Sequence, residues 1–525
     1  MIKTKKIFLF LLLISLFSIE LPAQEFLPKH FKFQLNTNND PLPPSNSVSQ
    51  MVSQDSTIWI GTSKGLAKST NYGRSWINFK NVPEFANDGI YALAIYNDTI
   101  WTSTGYSKEK DNENIPTGSG YTYSTNGGLS WSHVGQTLDQ RGDSIITNYG
   151  INDSVYILPI VVPEQNVTYD LSVSQGAVWI ASWAGGLRKS TDNGTTWNRI
   201  LLPLDNMNSI KPTDTLWTYA PYDSQKKYFR FDPRPNNNLK AFSVHATDSD
   251  TIWCGTAGGI NKSTDGGISW QKFTHQNQDY PILGDWVIAI KEQRFQNKSR
   301  IWATNWQADL QSEKNGVSYT EDGGNIWINL LHDVKSYDFA FKDSVAYIAT
   351  AEGLYRTDDG GLSFNRSGLI TDAETRQVIT TSSVFSVSVV NDTVFAGTSD
   401  GIVSTIDNAD NNFGSVWKIY RRYEIVGSNK TSYAYPNPFS PDDQYTRIHY
   451  STGGNDASVS IEIFDFGMNR VRTVIQNAQR SGKYEHDELW NGRDDNGRFA
   501  TNGIYFYRIR IGTEDPLWGK IMVLR

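Results

Sequence analysis

Six segments of the chain share a short pattern: Ser or Thr first, Asp or Asn third, Gly fifth and an aromatic residue eighth. They are STNYGRSW (69–76), STNGGLSW (124–131), STDNGTTW (190–197), STDGGISW (263–270), TEDGGNIW (320–327) and TDDGGLSF (357–364). The third side chain can accept hydrogen bonds from backbone N–H groups of the loop, and the fifth residue supplies a positive φ. We therefore expect six hairpin turns, here called the repeat turns, in which the third residue is structural: Asn71, Asn126, Asp192, Asp265, Asp322 and Asp359.

Each repeat turn follows a second shared pattern of alternating apolar residues. Examples are DSTIWIGTSKGLAKS (55–69), DTIWCGTAGGINKS (250–263) and, further upstream in their units, YALAIY (91–96) and YDFAFK (337–342). A period of two predicts strands, so each unit reads as four strands with the repeat turn before the last. A seventh unit, VFSVSVVNDTVFAGTSDGIVST (384–405), has a longer turn. The predicted fold class is all-β: a seven-bladed β-propeller with Asp-box turns over residues 24–425, followed by an immunoglobulin-like β-sandwich.

The repeat turns resemble the Asp-box, or BNR repeat, of sialidase-like and photosystem II assembly factor-like propellers. This resemblance leaves two functions open: a binding protein, or a sialidase- or xyloglucanase-like glycoside hydrolase that acts on extracellular polysaccharide. Hydrolysis of a glycoside needs two placed carboxyl groups. At the loop where the xyloglucan-active relatives carry an Asp, only Asp400 is acidic, and Glu352 lies one step away. No catalytic residue is therefore assigned, and the binding protein is the leading hypothesis.

Long insertions fall between the predicted strands at 105–118, 135–170, 201–240, 274–285 and 306–314. In a propeller these loops lie on the face opposite the repeat turns, and long loops on a rigid scaffold commonly form binding sites. Four tryptophans map to this insertion face: Trp183, Trp217, Trp286 and Trp306. They either pack beneath the loops or form an aromatic platform for a glycan or protein ligand. We take the platform as the functional hypothesis.

Residues 435–525 break the repeat. The stretches YPNPFSP (435–441), FDFGM (464–468), WNGRD (490–494) and NGIY (502–505) resemble the immunoglobulin-type domain of flagellar hook-capping proteins and the type A sorting domain of type IX secretion cargo. The resemblance implies a β-sandwich recognised by the type IX secretion machinery. It also implies a location outside the cell or on the outer surface of a Gram-negative, Bacteroidetes-like bacterium. Residues 426–434 read as a linker.

The remaining composition limits the possible partners. Residues 1–23 read as a signal peptide, and no later apolar run is long enough for a transmembrane segment. The net charge is −7, which does not favour nucleic acid. One cysteine and seven histidines give no metal motif, so we expect no cofactor, although calcium among the loops stays possible without assigned ligands. We expect a monomer.

Overall fold

The computed structural model describes residues 41–86, 88–140, 145–174, 176–424, 426 and 431–525. The predicted signal peptide (1–23) lies outside the described residues, as do residues 427–430 of the predicted linker. The described part is all-β and contains, apart from strands, three short 3-10 helices: Pro83–Phe85, Leu216–Thr218 and Asn237–Leu239. None of its helices has the length and apolar character that crossing a bilayer requires.

Seven antiparallel sheets, here called the repeat sheets, follow one another along the described chain, and each pairs its strands in sequence order. The first contains β1 (Val48–Gln54), β2 (Thr57–Thr62), β3 (Gly65–Ser69) and β4 (Ile77–Asn78); the second β5 (Gly89–Tyr96), β6 (Thr99–Lys110), β7 (Glu113–Ser124) and β8 (Ser132–Gly135). The third contains β11 (Thr168–Ser174), β12 (Ala177–Ser182), β13 (Gly186–Ser190) and β14 (Asn198–Arg199). The fourth contains β18 (Ala241–Ala246), β19 (Ile252–Thr256), β20 (Gly259–Ser263) and β21 (Trp270–Phe273), with β15 (Ser209–Ile210) added beside β21.

The last three repeat sheets have four strands each. The fifth contains β22 (Trp286–Phe295), β23 (Lys298–Trp306), β24 (Gly316–Thr320) and β25 (Ile328–Leu330); the sixth β26 (Ser336–Lys342), β27 (Val345–Thr350), β28 (Gly353–Thr357) and β29 (Asn365–Arg366). The seventh contains β30 (Val384–Val390), β31 (Thr393–Thr398), β32 (Gly401–Ile406) and β33 (Lys418–Tyr420). The second strands are buried at nearly every position, as in β2 and β12, because residues on both faces of a repeat sheet lie between neighbouring sheets.

The first strands of the repeat sheets form a closed cycle. Each contacts the first strands of the two neighbouring sheets, and β30 of the seventh sheet contacts β1 of the first. The Ser53 hydroxyl donates to the Val389 carbonyl oxygen at 2.7 Å, which joins the two sheets by hydrogen bonding. Met51, Val390 and Phe395 share one apolar core across this closure. The first strands therefore surround a common channel.

Two insertions combine into an additional sheet. It contains β9 (Ile145–Tyr149), β10 (Asn152–Ile157), β16 (Tyr222–Asp223) and β17 (Tyr228–Phe231), and β10 pairs with β17 in parallel. Its residues Ile157 and Phe231 share a core with Trp179 and Trp270 of the third and fourth repeat sheets.

The position of this sheet differs from the sequence-based expectation, which put insertions 135–170 and 201–240 on the face opposite the repeat turns. The Tyr149 hydroxyl donates to the Ile268 carbonyl oxygen, at 2.8 Å, within a repeat turn. The apolar residues of the two insertions are buried only when the segments pair and pack on the neighbouring sheets, and this packing takes them toward the turns.

The C-terminal residues form two further sheets around one core. One contains β34 (Ser432–Tyr435), β35 (Thr446–Tyr450) and β38 (His486–Trp490); the other contains β36 (Ala457–Phe464), β37 (Arg470–Arg480), β39 (Gly503–Ile511) and β40 (Leu517–Val523). Ile448, Ile461, Trp490 and Tyr507 are buried between them. We call this part the C-terminal module.

Buried charged groups join the C-terminal module to the seventh repeat sheet. The Asp400 carboxylate accepts hydrogen bonds from Arg421, at 2.9 Å, and from Arg447 of the module, at 2.6 Å. Asp487 accepts from Gln377, at 2.9 Å, and pairs with His449, at 2.9 Å. These residues, with Glu485, which pairs with His449 at 2.8 Å, form the junction network. Because each acid meets a cation or an amide, the junction is electrostatically matched.

Candidate functional site

The repeat turns use their polar side chains to close the hairpin. In the first, Asn71 Oδ1 accepts from the Ser69 hydroxyl at 2.9 Å and from the Ser75 backbone N–H at 3.0 Å. The Ser69 oxygen also accepts from the Gly73 N–H at 2.9 Å. Corresponding bonds surround Asn126, Asp192, Asp265, Asp322 and Asp359. These acceptors are engaged within their own turns.

Each repeat turn also packs on a neighbouring sheet. A Cβ atom at Gly267, where φ is +92°, would lie 2.7 Å from the Trp179 ring. Lys189 lies over the same ring, 4.7 Å from its centroid, and its ammonium donates to the Gly266 carbonyl oxygen at 3.3 Å. Only glycine fits such a close approach at positive φ. The turns therefore hold neighbouring sheets together.

The first strand of every repeat sheet carries a β-bulge near its start. In the first sheet Val48 pairs with Thr62 and Gln50 with Gly61, so Ser49 has no partner in the ladder. The equivalent bulged residues in the other sheets are Tyr91, Tyr169, Phe242, Ile288, Tyr337 and Phe385. A bulge re-aims a side chain away from the regular pleat.

All seven bulged residues line one cavity of ≈ 750 Å³, here called the channel cavity. Its wall also contains Ser63, just after a second strand, Trp306, at the far end of a second strand, and Gly89, at the start of a first strand. These positions place the cavity at the end of the channel opposite the repeat turns. The volume lies within the range of about 300–1,000 Å³ that is usual for ligand sites.

Aromatic rings form an incomplete belt around the channel cavity. Ring centroids are 6.5 Å apart for Tyr91 and Tyr169, and 6.0 Å apart for Tyr169 and Phe242. On the other side, Tyr337 lies 5.7 Å from Trp306 and 5.4 Å from Phe385. Two bulges contribute no ring to this aromatic belt: Ser49 in the first sheet and Ile288 in the fifth, and only Ser49 is polar. The site therefore has a polar gap in an apolar wall.

The structure separates the four tryptophans that the sequence singled out. Trp306 lines the cavity, and its indole N–H donates to the Ser336 carbonyl oxygen at 2.9 Å. Trp183 and Trp286 lie 6.0 Å apart and both pack against Phe242. Trp217, in the 3-10 helix Leu216–Thr218, packs against Tyr222 and Phe229 of the additional sheet, is 65% exposed, and is not in the cavity wall. Three of the four therefore lie at or behind the aromatic belt.

Two aspartates in the cavity wall, Asp170 and Asp338, occupy equivalent positions directly after a bulge. Each accepts a backbone N–H from the next repeat sheet: Asp170 from Val244, at 2.9 Å, and Asp338 from Val387, at 3.1 Å. Asp338 also pairs with Lys291, at 2.7 Å. Burial raises the pKa of Asp170 to about 7, and the charge of Asp338 contributes to the rise. Both carboxylates thus help to join sheets while facing the same cavity.

The two acids considered from the sequence, Asp400 and Glu352, lie outside the cavity wall. Asp400 belongs to the junction network, where two arginines bind it. Glu352 accepts from Arg366, at 3.2 Å, and from the Tyr355 hydroxyl, at 3.2 Å. The expected hydrolase positions therefore have structural partners.

The described residues contain no group of three or more His, Cys, Asp or Glu side chains arranged to hold a metal ion. The structure therefore assigns no ligands to the calcium ion that the sequence left open. Cys254 is buried, and burial raises the pKa of its thiol.

No protein-family model and no curated protein sequence matches the chain. Among solved structures, YCF48 from Cyanidioschyzon merolae is similar, with 14% identity, a TM-score of 0.42 and coverage of 70% of this chain and 97% of that one. The GH74 xyloglucanase from Xanthomonas campestris has 12% identity and a TM-score of 0.47, over 78% of this chain and 59% of its own. PorZ, a surface component of the type-IX secretion system of Porphyromonas gingivalis, has 12% identity and a TM-score of 0.34, over 91% and 66%.

Proposed function

We propose that the repeat sheets are the blades of a seven-bladed β-propeller that binds a glycan or protein ligand in the channel cavity. The convergence of all seven bulged residues on one cavity carries the proposal. A bulge costs ladder pairing, so its recurrence at the same depth in every sheet is explained by a shared task for the exposed side chains. The aromatic belt supplies large apolar surface, and Ser49 and the tyrosine hydroxyls supply hydrogen bonds.

Binding to a glycan array and a peptide array tests this function, with the full chain and the variant Tyr91→Ala/Trp306→Ala. We expect the variant to lose at least about tenfold in affinity for whichever ligand binds, because two rings leave the belt. Trp217→Ala is the matched control, since it removes an exposed indole that packs on the additional sheet, outside the cavity wall. Equal loss in the control, or full binding by the double variant, would locate the site elsewhere.

The alternative function, glycoside hydrolysis, has one observation in its favour: Asp170 and Asp338 face the same cavity. Both accept a backbone N–H from the next sheet and Asp338 is paired with Lys291, which disfavours a role for them as general acid and nucleophile. Release of reducing sugar from a polysaccharide panel, abolished in Asp170→Asn and Asp338→Asn, would establish the hydrolase in place of the binding protein.

We further propose that the C-terminal module is an immunoglobulin-like sandwich that directs export to the outer surface by the type IX machinery. Support comes from the two sheets around a single core and from the sorting-domain motifs in the sequence. Deletion of residues 431–525 should leave the protein in the periplasm. Surface labelling of cells that carry the truncated chain measures this, and normal surface delivery would refute the sorting role.

A further inference from the structure

The acidic side of the channel cavity has no cation of its own. Four ionisable groups other than tyrosine line the wall: Asp88, Asp170, Asp338 and Lys291. The Lys291 ammonium forms an ion pair with Asp338, at 2.7 Å, and donates a hydrogen bond to the Phe339 carbonyl oxygen, at 3.0 Å. Within the described residues neither Asp88 nor Asp170 forms an ion pair. The second and third repeat sheets therefore bring two carboxyl groups without an ion-pair partner to this wall, and Lys291 acts on Asp170 only through its more distant charge.

Two aromatic rings lie on this same side. Tyr91 is close enough to Asp88 for that charge to raise the pKa of its hydroxyl, although burial contributes more. Tyr169 directly precedes Asp170, and the two tyrosine rings are 6.5 Å apart. A cation over an aromatic face gains from the negative charge of the ring, and a nearby carboxylate adds a charge-assisted hydrogen bond. This combination recognises a positively charged group.

The shape of the cavity selects the form of that group. The first strands of all the repeat sheets surround the channel, so a ligand enters from one end rather than lying along a groove. Met51, Val52 and Leu93 make the wall beside the acids apolar. A lysine or arginine side chain has an apolar stem and a charged head, which matches this arrangement.

We propose that the channel cavity binds a basic side chain, lysine or arginine, of a partner polypeptide, with the charged head toward Asp88 and Asp170. This inference rests on the proposed function and names its ligand class. The stem contacts the aromatic belt, and the polar gap at Ser49 leaves room for the peptide backbone.

The affinity depends on pH in a defined direction. Since burial raises the pKa of Asp170 to about 7, this group gains its charge as the pH rises through 7. The charge of Lys291 lowers the pKa of Asp170 and the charge of Asp338 raises it, both from the opposite sheets, and Asp88 also lines the cavity wall. Cation binding favours the ionised form, so affinity increases with pH by up to about tenfold per unit below 7.

The test uses the full chain and three probes: acetyl-Gly-Lys-Gly-amide, the same peptide acetylated on the lysine Nζ, and a disaccharide of glucosamine. Calorimetry and tryptophan fluorescence at pH 5.5 and 8 measure binding. We expect the charged peptide to bind at least about tenfold more tightly than the acetylated one, and more tightly at pH 8. Equal binding of the two peptides, or no binding of the charged one, overturns the proposal.

Variants separate the contribution of the carboxylate. Asp170→Asn should lose about tenfold for the charged peptide and most of the pH dependence, whereas Asp333→Asn removes an exposed acid elsewhere and should change neither. Lys291→Met frees Asp338 from its cation and should strengthen binding about threefold or more, which gives a second readout if Asp170→Asn does not fold. Unchanged binding in a folded Asp170→Asn, or weaker binding in Lys291→Met, contradicts the proposal.

The outcomes distinguish failure of the basic-peptide proposal from failure of the proposed ligand-binding function. Selective binding of the glucosamine disaccharide, or of neutral glycans at the same residues, refutes the basic peptide but keeps the channel cavity as a ligand site. Absence of every ligand on the arrays, together with failure of these probes, refutes the proposed function itself.

Discussion

The junction network and the channel cavity use aspartate in opposite ways. In the junction, Asp400 is bound by two buried arginines, so its charge is compensated within the chain. In the cavity, Asp170 receives only backbone N–H groups, and burial raises its pKa to about 7. An aspartate therefore stabilises the fold where a cation is paired with it. Where no cation is paired with it, burial disfavours its ionised form, and a cationic ligand would stabilise that form. The lack of a paired cation at Asp170 distinguishes the channel cavity from the junction network.

The variant Asp400→Asn is expected to have the largest effect on stability, because it removes the Asp400 carboxylate from the junction network. The substitution leaves Arg421 and Arg447 buried without their carboxylate, and their side chains are only 1% and 7% exposed. We expect the free energy of unfolding to fall by about 3–5 kcal/mol. Urea unfolding measures it, with Glu352→Gln as control, whose exposed pair with Arg366 contributes about 0–1 kcal/mol. Equal stability of the two variants would mean that the junction arginines find other partners.

His449→Gln tests the cation on the other side of the junction. Although burial opposes its charge, hydrogen bonds to Asp487 and Glu485 raise the pKa of His449 above its usual value. A histidine whose pKa is raised by folding stabilises the folded state. This contribution is fully present below the pKa of the unfolded state and is lost as the pH rises through the pKa of the folded state. We expect the variant to lose about 2 kcal/mol at pH 6 and less at higher pH. A loss independent of pH would contradict a charged His449.

Asp170→Asn should have a smaller effect of opposite sign. The raised pKa means that the stabilising contribution of the protonated carboxyl is lost as the pH rises through about 7. The variant has no such loss, so at pH 8 we expect it to be at least as stable as the wild type, by up to about 1 kcal/mol. Thermal unfolding at pH 5 and pH 8 measures the difference. Marked destabilisation at pH 8 would contradict a pKa of Asp170 that is raised by burial.

The sequence could predict most of the strands, because alternation and turn chemistry are local properties. The repeat turns and the order of strands within each repeat sheet agree with the pattern. The additional sheet was not predicted, since β10 and β17 pair across a whole intervening repeat sheet. No local signal specifies a partner at that separation.

The candidate site was predictable only in part. The sequence places Trp306 on the insertion face, whereas its alternation predicts Tyr91 and Tyr337 to be ordinary strand residues. An aligned signal exists: the aromatic residue begins each apolar run, YALAIY (91–96) and YDFAFK (337–342), and is the third residue of β5 and the second of β26. Its meaning depends on the bulge, which shifts the residue from the ladder into the channel and leaves no trace in the alternation.

The bulges determine which residues of the protein can be substituted easily during evolution. A bulged residue makes no ladder pair, so its replacement leaves the hydrogen bonds of the flanking strand in place. One position in each sheet is thus free to vary while the sheets keep their packing. Substitutions at these seven positions can change the side chains that line the channel cavity from aromatic to charged or small. The scaffold is therefore suited to rapid divergence in ligand preference and to directed libraries confined to these seven codons.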